Sequence, residues 1–401
     1  MRMPPLFLLA TLIVIDQASA TPAPADWSAV EKQAEGQTVY WHAWGGDPRS
    51  NDYIEWVGER LAESHGIELV HVKVNDASNV VSRVLAEKSA GNTEDGAVDL
   101  IWINGENFAA MKTNDLLFGP FAERLPNFSL TRPDEHPEMR TDFTVPTEGY
   151  ESPWGRAQLT FYHDSQRVDS PPRSLDALLD WAQHNPGRFS YPQVPNFLGT
   201  TFLKQALITL ADDEEALYTP VEEADFDAIT APLWDYLDDL HPHLWREGRR
   251  FPDSGSAMQR LMGDGELALA FTFNPSAPAA AVADNQLPPS TRSYQLDGGT
   301  LGNVHFVAIP FNASHKAGAM VTANFLLSPE AQAHKQDISV WGDPTVLDTD
   351  ALGDDAKGAF DDSQDIPGSL SSDQSANILA EPHPSWVDRL EEAWQARYGN
   401  R

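Results

Sequence analysis

Cysteine is absent from the 401 residues. That one gap excludes disulfides, thiolate nucleophiles and thiolate metal sites together, and leaves no thiol to take a lipid at a processed N-terminus. Basic residues are scarce as well: 27 Lys and Arg stand against 60 Asp and Glu, a formal charge of −33. Nucleic acid and anionic lipid repel such a chain, and neither is expected as a partner. Long apolar runs are lacking. Leu6 to Ile15 is too short to cross a bilayer, and nothing after it approaches the roughly 20 apolar residues of a membrane helix. Signatures of catalysis are missing too, with no G-x-S-x-G, H-E-x-x-H, Walker A or G-x-G-x-x-G in the chain. Asp348 to Gly353 mimics the start of a calcium loop but sets Leu352 at its fifth position and Ala359 at its twelfth. His241 and His243 flank a proline with no third ligand in view and read as a surface turn. No metal and no cofactor are expected.

What is present begins with a leader. Arg2 supplies a positive end, Leu6 to Ile15 an apolar segment and Ala18-Ser19-Ala20 a small-residue cleavage site, so a mature periplasmic chain is expected from about Thr21. Arg2 and Asp16 cancel, and the mature chain keeps the full negative charge. The acidic residues are spread along it, as on a solvated surface screened by a saline exterior. Recruitment of a cationic ligand explains the same count equally well.

Val98 to Ile103 (VDLIWI) reads as a strand buried on both faces, of the parallel kind, and it stops abruptly at Asn104-Gly105. A glycine there lets backbone approach a ligand, and the helix implied by Phe108 to Met111 aims its free N–H groups the same way. An ordinary strand-to-helix turn with an Asn cap explains these residues as well. Two further strands precede it, Gln37 to Ala43, followed by Trp44-Gly45-Gly46, and Ile67 to Val74. The helix between them is expected to start on a capping box at Asp52 to Glu55 and to end at Gly66; the next is capped by Asp76 or Ser78. Short alternation of strand and helix demands parallel, right-handed crossovers. With the first strand in the middle, Trp44-Gly45-Gly46 and Asn104-Gly105-Glu106-Asn107 line one crevice at the switch point.

Further on, Ala157 to Tyr162 is a strand, Arg188 to Pro192 a short strand, Thr200 to Leu210 a helix after the turn Asn196 to Gly199, and Leu267 to Phe273 a buried strand ending at Asn274-Pro275. Pro275 to Pro289 is left as surface helix or loop. Gly302 to Pro310 is a second crossing strand, and Ser385 to Tyr398 an amphipathic terminal helix. The simplest arrangement inserts one domain into another. Residues 27–156 with 303–342 form the first lobe, 157–302 the second, and 343–401 a C-terminal helical segment on both. The predicted fold class is α/β and two-lobed, each lobe a mostly parallel sheet flanked by helices, joined by two crossing hinge strands.

Several stretches together resemble a known family: Trp44-Gly45-Gly46, VDLIWINGENFAAMK (98 to 112), Pro153-Trp154-Gly155 through Tyr162, FTFNP (271 to 275), and above all NFLLSPEAQ (324 to 332) with Trp341-Gly342-Asp343. They are similar to the YnjB-type solute-binding components of ABC importers, within the type 2 periplasmic binding proteins. The resemblance implies a cleft ligand held between two α/β lobes and delivered to ABC permease subunits by a monomeric receptor.

The residues at strand ends supply the candidate ligand contacts. Trp44, Phe108, Trp154, Tyr162 and Phe273 are candidates to stack on a ring, a sugar face or a cation, with core packing the competing explanation for each. Glu106 suits a ligand ammonium or sugar hydroxyls. Asn104, Asn107, Asn196, Thr200, Thr201 and Asn274 offer uncharged hydrogen bonds, with Gly45, Gly46, Gly105 and Gly199 beside them. Such a set suits a sugar or polyol, and equally a thiamine-like or polyamine-like cation. No Arg or Lys pair lies at a cleft loop, which disfavours phosphate, sulfate and dicarboxylates. A second class stays open: an exported hydrolase using Glu106 with Asp164 or His163 on a glycoside or ester.

Overall fold

The computed structural model describes residues 26–360, 370 and 377–399; the leader and its cleavage site lie outside them. The chain opens with α1 (Trp27–Ala34), β1 (Thr38–Trp44), α2 (Pro48–His65), β2 (Glu68–Val74), α3 (Ala77–Ser89), β3 (Leu100–Ile103) and α4 (Glu106–Thr113). β1 lies between β2 and β3, parallel to both, with Thr38 opposite Glu68 and Trp41 opposite Leu100. The expected order is therefore the observed one, and the loops after β1 and β3 emerge at the same edge.

The start of α2 differs from expectation. Asp47 caps it, accepting from the amides of Arg49 and Ser50, with Pro48 in the first turn. Proline's fixed φ and missing N–H suit a helix start better than Asp52 does, so the helix begins five residues earlier. Its end is as expected, with Gly66 left-handed at φ 65°. Asp76 caps α3 through the Ser78 amide.

A small hairpin, β4 (Thr141–Asp142) and β5 (Val145–Pro146), precedes β6 (Glu151–Gln158), which runs on into β7 (Thr160–Asp164). The second lobe adds α5 (Leu175–His184), α6 (Phe197–Leu210), α7 (Phe226–Leu240), α8 (Gly255–Gly263), β8 (Leu269–Thr272), α9 (Ala277–Ala283) and β9 (Thr291–Tyr294). The return strand is β10 (Thr300–Ala308), followed by α10 (Lys316–Leu326), α11 (Pro329–Gln336), α12 (Asp354–Lys357), β11 (Ile378–Leu379) and α13 (Ser385–Tyr398). α9 resolves the open reading of the Pro/Ala-rich run, and it buries Pro278 to Ala281 instead of lying loose on the surface.

β6 and β10 form an antiparallel ribbon from Glu151 opposite Ala308 to Gln158 opposite Gly302, with a register shift between His305 and Phe306. At one end Trp154, Val304 and Phe306 belong to the first core; at the other Ala157, Leu159 and Leu301 belong to the second. The two lobes are joined through this ribbon, and the outgoing strand starts earlier than the expected Ala157. β10 also pairs antiparallel with β3 and joins the first sheet in the order β11-β10-β3-β1-β2.

The second sheet corrects the expectation of parallel strands. It has the order β8-β7-β9, antiparallel throughout, with His163 opposite both Leu269 and Arg292. The helices between β7 and β8 leave and return at the same end of the sheet, so no crossover connects them. Arg188 to Pro192 joins no sheet; its carbonyls instead receive loop amides, Trp245 to Phe189 and Ala268 to Arg188.

The family-resembling motifs brace the ribbon. Ser328 caps α11, Pro329 starts it, and the buried Gln332 donates to the carbonyls of Trp154 (2.8 Å) and Leu326 (2.7 Å) while accepting from Thr345 and Val346. Lys335 and Asp343, both buried, pair beneath Gly155, whose smallness matters: a Cβ there would lie 2.2 Å from Asp343 Oδ2. Trp154 itself is fully buried, ringed by Trp41 (5.3 Å), Trp102 (4.8 Å) and Trp341 (5.6 Å). α13 closes the second core with Trp386, Leu390, Trp394 and Tyr398.

Trp154→Ala is expected to lower the free energy of unfolding by about 3–5 kcal/mol in a urea titration, because a buried aromatic leaves a cavity. Trp44→Ala, at a half-exposed site, changes it by less than about 0.5 kcal/mol.

Candidate functional site

Carboxyl groups from five separate elements gather where the lobes meet. Gly105, at φ 61°, turns the chain from β3 into α4, and its amide donates to Asp142 Oδ2 of the β4–β5 hairpin at 2.6 Å. Glu106 is the next residue, its Oε1 accepting from Asn107 Nδ2 at 2.8 Å. Glu151 opens β6 with neither carboxylate oxygen bonded among the described residues, and Asp142 Oδ1 is likewise without a partner. Glu381 follows β11, which the backbone of Thr300 and Leu301 holds against the ribbon. Glu391 of α13 accepts from Thr200 Oγ1 of α6 at 2.6 Å.

Two ammonium groups bear on them: Lys112, whose charge acts on Glu151, and Lys204. Lys204 of α6 is buried and pairs with the equally buried Glu381 at 2.6 Å, and Asn303 Nδ2 donates to the other Glu381 oxygen at 3.2 Å. The Lys204 Nζ also lies 4.5 Å from the centre of the Phe143 ring and 5.9 Å from that of Phe197.

The acids respond to this crowding by holding protons. Burial raises Glu106 to about 7, opposed by the Lys204 charge; part of its surface still meets water although protein crowds the carboxyl group. Burial raises Glu391 to about 7 as well, against the Thr200 hydrogen bond. Burial drives Asp142 and Glu151 well above the usual carboxylate range; the Asp142 charge adds to this at Glu151, and those of Glu106 and Glu381 add to it at Asp142. The arrangement is suited to holding positive charge, since a cation arriving among these groups replaces their protons.

The expected residues divide. Glu106, Asn107, Gly105 and Thr200 fall in this cluster. Trp44 stands at the β1 edge, half exposed, its ring against Gly46, where a Cβ would come within 2.5 Å. Gly45 hydrogen-bonds Val74 O and sits against the Lys73 side chain. Asn104 is half-buried at the end of β3. Arg49, a few residues past that loop, reaches Asp284 at 2.8 Å and so links the Trp44 side of the first lobe to the segment after Asn274.

Others are structural. Phe108 is fully buried with Val80, Ile101 and Ile103; Trp154 is the first core's centre; Tyr162 is buried in the second core, where burial raises its hydroxyl pKa. These three pack cores and present no face to a ligand, Phe108 from the inner side of α4 and the other two from covered strands. Phe273 is buried with only its edge against exposed Phe197, centroids 5.2 Å apart. Asn196 caps α6 through the Leu198 amide, Gly199 lies inside that helix against Pro192 O, Thr201 donates to Phe197 O, and Asn274 accepts from Ser276 N. The pairing of Glu106 with His163 or Asp164 does not form. His163 Nδ1 bonds Val168 O, and Asp164 accepts from Ser290 and pairs with Arg167, all within the second lobe. Arg156 is taken up by Glu138 at 3.2 Å.

Sequence reasoning missed Asp142, Phe143, Glu151, Lys204, Glu381 and Glu391. One signal was available for Lys204, a lone charge inside the otherwise apolar FLGTTFLKQALITL helix.

The raised Glu106 pKa fixes a sign. The fold keeps a proton that the unfolded chain gives up near 4.5, so stability falls as pH rises from 4.5 to about 7 and is flat above. Glu106→Gln is expected to melt higher than the parent at about pH 8 and level with it at about pH 4 in parallel thermal scans.

A family model described as bacterial extracellular solute-binding protein matches residues 56–359. The chain is 46% identical to Protein YnjB of Escherichia coli (strain K12) over 377 residues, 94% of each chain. Among solved structures, the periplasmic binding protein AfuA from Actinobacillus pleuropneumoniae, with exogenous fructose-6-phosphate bound, superimposes at TM-score 0.64 and 14% identity, covering 91% of this chain and 99% of that one. A putative spermidine/putrescine ABC transporter protein from Listeria monocytogenes does so at 0.61 and 16%, covering 90% and 99%. With a family match over three quarters of its length and a relative near half identical end to end, this two-lobed chain belongs to the bacterial extracellular solute-binding proteins, and its role is that of a solute receptor outside the cytoplasm.

Proposed function

We propose that the protein captures a small organic cation between its lobes and delivers it to the membrane subunits of an ABC importer, breaking no bond in the ligand. The observation that carries the choice of ligand is the balance of groups at the site: Glu106, Asp142, Glu151, Glu381 and Glu391 against Lys204 and Lys112, with three buried carboxylate oxygens unbonded among the described residues. A phosphate or dicarboxylate entering there meets further acids in place of basic partners, and a neutral sugar releases none of the protons that the crowded acids hold. The named ligands of the Actinobacillus and Listeria proteins differ in sign, so the fold alone does not choose between them.

In this reading Trp44, Glu106, Asn107, Phe197 and Thr200 contact the ligand. The lobes divide at 156/157 and 302/303, close to where the ribbon passes from one core to the other. The receptor is a monomer, freed from its leader after Ala20 and without a lipid anchor. Ligand binding shifts an equilibrium between open and closed lobes.

Native mass spectrometry of protein purified from its own host tests the reading, because tight ligands co-purify. The expected adduct is a positively charged amine or ammonium compound, recovered intact after denaturation. Recovery of a sugar, an anion or a hydrolysed product overturns it. Replacing Trp44 and Glu106 together by Ala is expected to weaken binding of that compound at least about 10-fold, a loss of about 1.4 kcal/mol, without lowering the melting temperature of the empty protein. Affinity measured by calorimetry is expected to climb as pH rises through about 7, where Glu106 and Glu391 give up their protons.

A further inference from the structure

Lys204 sits where a lysine has little reason to be. Nine of its thirteen companions in α6 are buried, so its ammonium cannot reach bulk water and must find partners inside. It finds three. Glu381 provides a carboxylate at 2.6 Å, Phe143 a ring with its centre 4.5 Å away, and Phe197, two turns earlier on the same helix face, a second ring at 5.9 Å.

Phe143 reaches this position at a conformational cost. It and Thr144 form the two-residue tip of the β4–β5 hairpin with φ 49° and φ 107°, values that Asn-Gly adopts readily and a β-branched threonine rarely does. Strain of this kind persists where the surroundings demand it, and it concentrates at binding sites. Here the neighbouring backbone is shaped to match. Gly105 has no Cβ, and one placed there would stand 2.6 Å from the Phe143 ring.

Two ring faces and a carboxylate around one nitrogen are what an alkylammonium group needs. We propose that Phe143, Phe197 and Glu381 form an alkylammonium-binding box spanning the lobes, filled in this structure by the chain's own Lys204, which an incoming ammonium displaces. The four-carbon stem lets Lys204 swing away. Glu106 and Glu391, both within reach of its field, take up the released charge. The inference rests on the cation reading for the natural ligand, but the box itself is tested without knowing that ligand.

Lys204→Ala removes three methylenes and the ammonium, so n-propylammonium is the missing piece. The variant is expected to melt well below the parent, because Glu381 is left buried and unpaired. Millimolar n-propylammonium is expected to restore most of the loss, where sodium chloride at equal ionic strength does not, and adding Phe143→Leu is expected to abolish most of the rescue. Equal effects of the two salts overturn the box. Should Lys204→Ala fail to fold, the parent decides. The Lys204 ε-methylene, labelled with carbon-13 and assigned by its loss in Lys204→Arg, is expected to resonate upfield under the Phe143 ring and to move to the ordinary lysine position on titration with n-propylammonium. An unmoved resonance overturns the displacement. A rescue seen alongside a co-purified sugar leaves the box standing and removes the cation reading of the receptor.

Discussion

Carboxylates leave water reluctantly, and this molecule crowds five of them together, three buried and two half-buried, with Lys204 and Lys112 as their cations. An isolated buried charge is so costly that the group neutralises, and Glu106, Asp142, Glu151 and Glu391 all do so by holding protons more tightly. Only Glu381 has a full set of partners, Lys204 and Asn303. Each acid arrives on a different element: the start of α4, the small hairpin, the first residue of the ribbon, the segment after β11, and α13. The cluster therefore exists only when both lobes and the C-terminal segment have come together. This links the electrostatics to the lobe arrangement: a positive guest relieves the site most where all five groups face it at once.

The first lobe was legible in the sequence because its signals are local. A buried run such as VDLIWI, a helix closed by Gly66 and a cap at Asp76 depend on residues within a few positions of one another, and right-handed crossovers then put β1 in the middle. The site was legible where it follows from that topology, at Gly105, Glu106 and Asn107, and at Thr200 near the start of α6. Strand-end aromatics misled because position along a strand does not say which layer covers it: Trp154, Phe108 and Tyr162 end in cores. The hairpin tip Phe143-Thr144 carries none of the Gly or Asn that announces a turn. Glu381 and Glu391 meet α6 across nearly two hundred residues of chain, a juxtaposition no periodicity encodes.

The family motifs divide in two: the stretch from Val98 to Lys112 brings Gly105, Glu106 and Asn107 to the site, whereas those from Asn324 to Asp343 lie behind it. Ser328, Pro329, Gln332, Trp341 and Asp343 cap, start and clamp the structure behind the ribbon, with Gln332 bonded to the Trp154 carbonyl and Lys335 locked to Asp343 under Gly155. These positions are demanding because each has one geometry that satisfies every buried polar atom. They preserve the joint between lobes and leave the walls of the cleft free to vary, and so a strong likeness to relatives specifies the role of the chain more closely than its cargo.

The second core cannot be finished by the residues that start it. Trp386, Leu390, Trp394 and Tyr398 of α13 fill it from the far end of the sequence, Trp394 bonding Tyr191 and Tyr398 reaching Asp238. The Trp394–Tyr191 bond spans 203 residues of chain, so this half closes only when a long loop has been drawn in. A core completed by so distant a segment rests on non-local contacts, which cost loop entropy before they return any stability.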